Sequence, residues 1–262
     1  MAPLLQLQDI SFTYSGSRQT VLDGLSLNIQ EGQPLAILGP NGSGKTTLLH
    51  IILGWLKPDR GKLQLNGKRL IEYSRRELGQ LLALVPQNEP VSFEFTALDY
   101  VLFGRAPYLA PLEQPSVVDQ NIAFAALEKV GLSSLARRSI TSMSGGEKQL
   151  LLIARALAQQ SQTILLDEPT SHLDLGNKTR LTRLLRELAS EGHNLIFTTH
   201  EPDFAIALST RTLMMQNGQV LFDGETSSII NSAALSHLYG SPVEVVTHEG
   251  HFLIRWDQAS KF

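Results

Sequence analysis

The chain has 262 residues, enough for one large domain or for a core with an inserted subdomain. Its 42% hydrophobic and 18% charged composition is that of an ordinary globular protein, and a formal net charge of -3 gives no electrostatic reason to expect nucleic acid or anionic lipid. With no cysteine, disulfides and thiolate metal sites are excluded.

From Met1 to Asp9 there is no basic stretch followed by an apolar core, so no secretory signal is predicted and a cytoplasmic location is expected. No apolar run approaches the roughly 20 residues of a membrane-spanning helix, and the longest, Leu150 to Ala158, is broken by Arg155. Any role at a membrane would be that of a peripheral subunit. Leu5, Leu7, Ile10, Phe12 and Tyr14 alternate with polar residues, and Val21 to Ile29 repeats the pattern, which predicts half-buried antiparallel strands. Pro34 to Leu38 is a short apolar run before a glycine-rich turn, and Lys45 to Leu56 reads as a helix. Gly61 to Leu65 with Asn66-Gly67 predicts a strand and turn, and Leu82 to Val85 a strand stopped by Pro86.

Between Glu89 and about Gln160 strand signals vanish. Pro90, Pro107, Pro111 and Pro115 punctuate a helical stretch, notably Ser116 to Val130. Strands return at Thr163 to Leu166, Asn194 to Thr198 and Arg211 to Met215, separated by helices at Gly176 to Ser190 and Asp203 to Leu208. That alternation implies a mainly parallel sheet flanked by helices. Asn217-Gly218 predicts a hairpin turn, and Glu249-Gly250 a second one in the tail.

Gly39-Pro40-Asn41-Gly42-Ser43-Gly44-Lys45-Thr46 matches the P-loop pattern G-x-x-x-x-G-K-[ST] in the strand-turn-helix frame that gives the pattern its meaning. Glycines let backbone N–H groups converge on phosphate oxygens, Lys45 would neutralise the β- and γ-phosphates, and Thr46 would bind magnesium. The apolar strand Ile164 to Leu166 delivers Asp167 and Glu168 at its C-terminal end, where ligands of parallel sheets collect. Asp167 suits the magnesium shell and Glu168 a general base facing water, although two such carboxylates also suit a helix cap or a solvated turn. Ser144-Gly145-Gly146-Glu147 opens an apolar-faced helix. Ser144 and Glu147 form an S-x-x-E capping box, while the two glycines expose donors at a positive helix end; both readings can hold at once.

Taken together, these residues resemble the ATP-binding cassette ATPases over about Leu4 to Gly224. Gly39 to Thr46 looks like the family's Walker A motif, Gln87 its Q-loop glutamine and Met143 to Glu147 its signature. Thr163 to Pro169 resembles the Walker B motif, Ser171 to Asp174 the D-loop, and His200 the switch histidine. Met143 and Glu147 depart from the Leu and Gln of the commonest signature, and His172 from a frequent Ala.

The resemblance implies an α/β P-loop core with a mainly parallel sheet, an antiparallel β subdomain and a helical subdomain inserted at about 89–160. It makes 1–240 one nucleotide-binding domain with the tail 241–262 packed on it. It implies ATP and Mg2+ as ligands, with Glu168, His200 and Gln87 catalytic, and Thr46, Gln87 and Asp167 around the metal. Tyr14 would stack on adenine, and Thr47 and Asp174 would join the nucleotide site. Ser144, Gly145, Gly146 and Glu147 of one copy would close on nucleotide held by a second copy in a head-to-tail dimer. Leu98 to Tyr108 is similar to importers of metal chelates, and Leu150 to Ala158 with Asp174 to Lys178 and Phe197 to Asp203 to their molybdate or tungstate members. An importer subunit on the cytoplasmic face of the membrane is therefore expected, with a polytopic permease, indirectly a periplasmic or surface substrate-binding protein, and no nucleic acid. The alternatives are a soluble cassette acting on ribosomes or DNA and an exporter cassette. Phe93, Phe95 and Tyr100 are either core or a surface for the permease.

Overall fold

The computed structural model describes residues 3–89, 93–248 and 251–256. Its contacts divide the chain into two compact units, 1–72 with 196–262, and 73–195.

The first unit opens with β1 (Leu5–Thr13) and β2 (Thr20–Ile29), paired antiparallel with Leu5 opposite Ile29 and Leu7 opposite Leu27. The alternation read in the sequence is the burial pattern: Leu5, Leu7, Ile10 and Phe12 face inward with Leu22, Leu25, Leu27 and Ile29. Each such buried side chain contributes about 2 kcal/mol. β3 (Leu35–Leu38), buried throughout, leads into α1 (Lys45–Ile52). This helix stops short of the expected Leu56, because Gly54 turns to φ +67° and carries the chain out of helical geometry. β4 (Arg60–Leu65) and β5 (Lys68–Arg69) complete a four-stranded antiparallel sheet in the order β2-β1-β4-β5. Asn66 and Gly67 take φ +51° and +75°, the left-handed pair that a two-residue hairpin requires.

In the second unit, α2 (Arg75–Leu81) precedes β6 (Leu82–Val85), which pairs parallel with β7 (Thr163–Leu166). Between those strands lie α3 (Ala97–Leu102), a 3-10 segment at Phe103–Tyr108, α4 (Val117–Lys129) and α5 (Gly145–Ala158); α6 (Leu175–Ser190) follows β7. Four of these helices, α2, α3, α4 and α5, begin with complete capping boxes, built on Ser74 and Glu77, Thr96 and Asp99, Ser116 and Asp119, and Ser144 and Glu147. Each box satisfies two otherwise orphaned N–H groups and is worth ~1 kcal/mol.

The first unit resumes within β8 (Asn194–Thr199), whose residues from Ile196 pair parallel with β3, as does β9 (Arg211–Gln216) on the other side. α7 (Pro202–Leu208) joins β8 to β9. β10 (Gln219–Glu225) returns through left-handed Asn217 and Gly218. After α8 (Thr226–Ile229) and α9 (Ser232–Tyr239), β11 (Val243–His248) and β12 (His251–Trp256) pair antiparallel. Val243 is buried, and its N–H and carbonyl both bond the Ser236 hydroxyl. The expected Glu249-Gly250 turn and Pro90 lie outside the described residues. Among the described residues, no helix is long and apolar enough to cross a membrane.

Candidate active site

The P-loop occupies the turn from β3 to α1 in the first unit. Its entry is fixed by Gly39, whose N–H donates to Thr199 O at 3.1 Å. A β-carbon on Gly39 would lie 2.2 Å from the Met215 carbonyl oxygen, so no other residue fits this backbone approach. The exit is fixed by Gly44 at φ +99°, where a β-carbon would lie 2.8 Å from a Leu22 methyl carbon. Lys45 is buried, and its Nζ donates to the carbonyls of Gly39 at 2.8 Å and Pro40 at 3.1 Å. The ammonium thus spans its own loop, curling it into a ring. Ser43 is buried too, and its hydroxyl has no hydrogen-bond partner among the described residues. An orphaned hydroxyl inside a cationic loop suits an anionic oxygen.

Also in the first unit, Tyr14 is 41% exposed, with its ring edge-on to Phe12 at 4.9 Å and its hydroxyl 3.0 Å from Thr47 Oγ1. That bond orients an exposed aromatic face from the end of β1 and ties it to the first turn of α1. His200 directly follows β8, and its carbonyl accepts a hydrogen bond from the Tyr239 hydroxyl at 2.8 Å.

In the second unit, β7 is followed by Asp167, whose N–H continues the ladder to Val85 O at 2.8 Å. Glu168 breaks that ladder with φ +43°, a left-handed conformation rare for a side chain that is not glycine, and both carboxylates are buried. The helix that follows, α6, is capped by Asp174, whose Oδ1 accepts from Asn177 N at 2.8 Å. Gln87 Nε2 approaches Glu168 Oε2 at 3.4 Å. The Q-loop and Walker B positions, read separately from the sequence, are therefore brought together.

Ser144 caps α5 through the Glu147 N–H, and Glu147 Oε2 accepts from Ser144 N at 2.7 Å. These bonds hold the Glu147 carboxyl below its ordinary range, the Ser144 backbone N–H most strongly, then its hydroxyl, with Arg138 and Arg180 adding to the effect. Gly146 is covered by the Asn177 amide, which Asp174 Oδ2 in turn holds at 3.0 Å. The sequence gives Asn177 no role of its own beyond its place three residues after Asp174, and its approach to Gly146 arises only in the fold.

The stretch Leu98 to Tyr108 proves to be scaffold at its arginine. Arg105 is buried, donates from Nε to Asp119 Oδ1 at 2.9 Å and from Nη1 to Ala158 O and Gln160 Oε1, and lies 4.0 Å from the centre of the Tyr108 ring. Of the aromatics, Tyr100 is core at 3% exposure, whereas Phe93 and Phe103 are 69% and 48% exposed.

A family profile described as ABC transporter matches residues 22–171. The chain is 37% identical over 245 residues to the hemin import ATP-binding protein HmuV of Thermobifida fusca (strain YX), covering 94% of this chain and 85% of that protein. It is 37% identical over 244 residues to the molybdate import ATP-binding protein MolC of Haemophilus influenzae, covering 93% and 90%. Among solved structures, it matches a chain of a transporter assigned to the metal-chelate ABC type, in an inward-facing conformation. That match has a TM-score of 0.84 at 34% identity and covers 97% of both chains.

Proposed function

This chain belongs to the ABC transporter ATPases, and from that premise we propose that it is the ATP-hydrolysing subunit of an importer for a metal chelate or metal oxyanion. The single observation that carries the import reading is the similarity, at 37% identity over 94% of this chain, to a protein named for hemin import, and the end-to-end match to a metal-chelate type transporter agrees with its substrate class. Relatives that import hemin and molybdate support it. The transport partner would be a separate polytopic permease, with this subunit peripheral on its cytoplasmic side and a substrate-binding protein upstream. A homodimer follows from the same reading.

In this mechanism the ring of Gly39 to Thr46 binds the phosphates, with Lys45 on the β- and γ-phosphates and Tyr14 against adenine. Thr46, Asp167 and Gln87 offer a hydroxyl, a buried carboxylate and an amide oxygen, hard donors that fit Mg2+ alongside phosphate oxygens and water. When bound, the ion offsets charge that develops on the transferred phosphoryl group. Glu168 accepts the proton of the attacking water as its oxygen bonds to the γ-phosphorus and the bond to the β-phosphate oxygen breaks. His200 orients that water. Ser144, Gly145, Gly146 and Glu147 of a second copy, with Asp174, complete the site.

Glu168→Gln tests the chemistry. ATP binding is retained, and hydrolysis falls at least ~100-fold. Turnover at the unaltered rate sinks the base assignment. Import is tested by purification from membranes: a polytopic permease that accompanies the chain and stimulates its ATPase supports it, and recovery in a ribosome pellet overturns it.

A further inference from the structure

Gln87 meets Glu168 across 3.4 Å, at the long limit of a hydrogen bond, so that contact alone cannot fix the glutamine. Its position must come from the segment that carries it. A cavity of about 220 Å3 lies along that segment, lined by Gln87, Asn88, Glu89, Tyr100, Gln149 and Ser171 among others, so packing gives little support on that side. At the near end the segment leaves β6 through Pro86, whose ring fixes φ. At the far end, among the described residues, Glu89 is held by the guanidinium of Arg155. Arg155 Nη1 donates to Glu89 Oε1 at 2.7 Å and to the Tyr100 hydroxyl at 2.9 Å, with the guanidinium 5.0 Å from the centre of the Tyr100 ring.

The backbone that carries Arg155 is closely packed. The residue sits in the last turn of α5, and its carbonyl is packed against Gly104, where a β-carbon would lie 2.3 Å away. Tyr100 is buried in α3. The guanidinium therefore pins a loop to two helices, one of which begins at Ser144. An exposed ion pair would be worth little, but this one is shielded at the arginine, with side-chain exposures of 18% and 35%.

We propose that Arg155 is a positioning residue for hydrolysis: by binding Glu89 and Tyr100 together, it holds the 87–89 segment so that Gln87 stays on Glu168. This rests on the reading of Gln87 and Glu168 as hydrolytic residues.

The test is steady-state ATP hydrolysis by the full chain with Arg155→Met, Glu89→Gln and Gln87→Ala, alone and combined. Nucleotide affinity and melting temperature are measured alongside. Arg155→Met and Glu89→Gln should each lower kcat about tenfold, as expected for loss of alignment, with KM and nucleotide affinity within about twofold. Neither should have a further effect once Gln87 is Ala. Glu89→Gln conserves size at a partly exposed position, so it decides the matter even where Arg155→Met folds poorly. Wild-type kcat in both variants, or losses that multiply undiminished onto Gln87→Ala, overturns the positioning role alone. Wild-type kcat in Gln87→Ala overturns it together with the assignment of Gln87.

Discussion

The side-chain amide of Asn177 fills the space that a β-carbon on Gly146 would need, its atoms lying 2.6 to 2.7 Å from that position. Because Asp174 holds that amide, the residue that caps α6 also favours glycine in the second position of α5. Gly146→Ala should therefore destabilise the chain by about 1–3 kcal/mol, the usual range for overpacking. Thermal denaturation would read this as a lower melting temperature. Asn177→Ala combined with it should recover most of the loss, since the obstruction is gone. A double variant no more stable than Gly146→Ala would place the strain elsewhere.

Asp119, bonded to Ser116 and Arg105, should contribute to the acid response of the second unit. Asp119 titrates at about 2 rather than its ordinary 3.8, chiefly through hydrogen bonds from Ser116 and then Arg105. A folded-state value below the unfolded one stabilises the protein fully above pH 3.8, and that contribution is lost as pH falls toward 2. Urea midpoints taken between pH 5 and pH 2 should fall less steeply for Asp119→Asn than for the parent chain. At neutral pH, Asp119→Ala leaves a buried guanidinium uncompensated and should cost ~3–5 kcal/mol.

The other end of α4 gives the contrasting case. Lys129 Nζ bonds Glu187 at 2.7 Å and Glu191 at 2.5 Å, and these bonds raise its pKa. A raised lysine value stabilises below the unfolded 10.5 and is lost as pH climbs through the folded value, so its effect is present across the neutral range. All three side chains are solvent-accessible, and Lys129→Ala should cost no more than about 1 kcal/mol. Added salt should shrink the difference; a larger, salt-insensitive loss in chemical denaturation would contradict it.

Tyr14→Ala should raise KM for ATP with kcat little changed, because stacking on adenine would be felt equally before and at the transition state. A loss near 1 kcal/mol, or about fivefold in KM, is the scale of one aromatic contact. Unchanged KM would leave Tyr14 with only its edge-on contact to Phe12 and its bond to Thr47.

What the sequence discloses is governed by how local the cause is. Leu82 to Val85 and Thr163 to Leu166 are strands at the residues read from their apolar runs, and Asn66-Gly67 and Asn217-Gly218 turn as those pairs must. Helix α2 is not among the elements expected from the sequence, although Ser74 and Glu77 carry the same S-x-x-E signal as Ser144 and Glu147. The early stop of α1 was written in Gly54. By contrast, the burial of Arg105 depends on acceptors from α4, from the end of α5 and from just beyond it, brought together only by the fold. The left-handed turn at Glu168 has no residue-type signal either, since glutamate gives no warning of positive φ. At the candidate site the P-loop was therefore plain from spacing, whereas the contacts that hold Gln87 and Gly146 in place became visible only in three dimensions.

Lys45, bonded to the carbonyls of Gly39 and Pro40, has a thermodynamic corollary. A lysine side chain carries about 2 kcal/mol of rotamer entropy, and here most of it is surrendered when the chain folds rather than when a phosphate arrives. The arriving anion exchanges acceptors around a cation that is already still. Association at this loop should accordingly have an unusually small ordering penalty, with the corresponding burden carried by the stability of the protein itself.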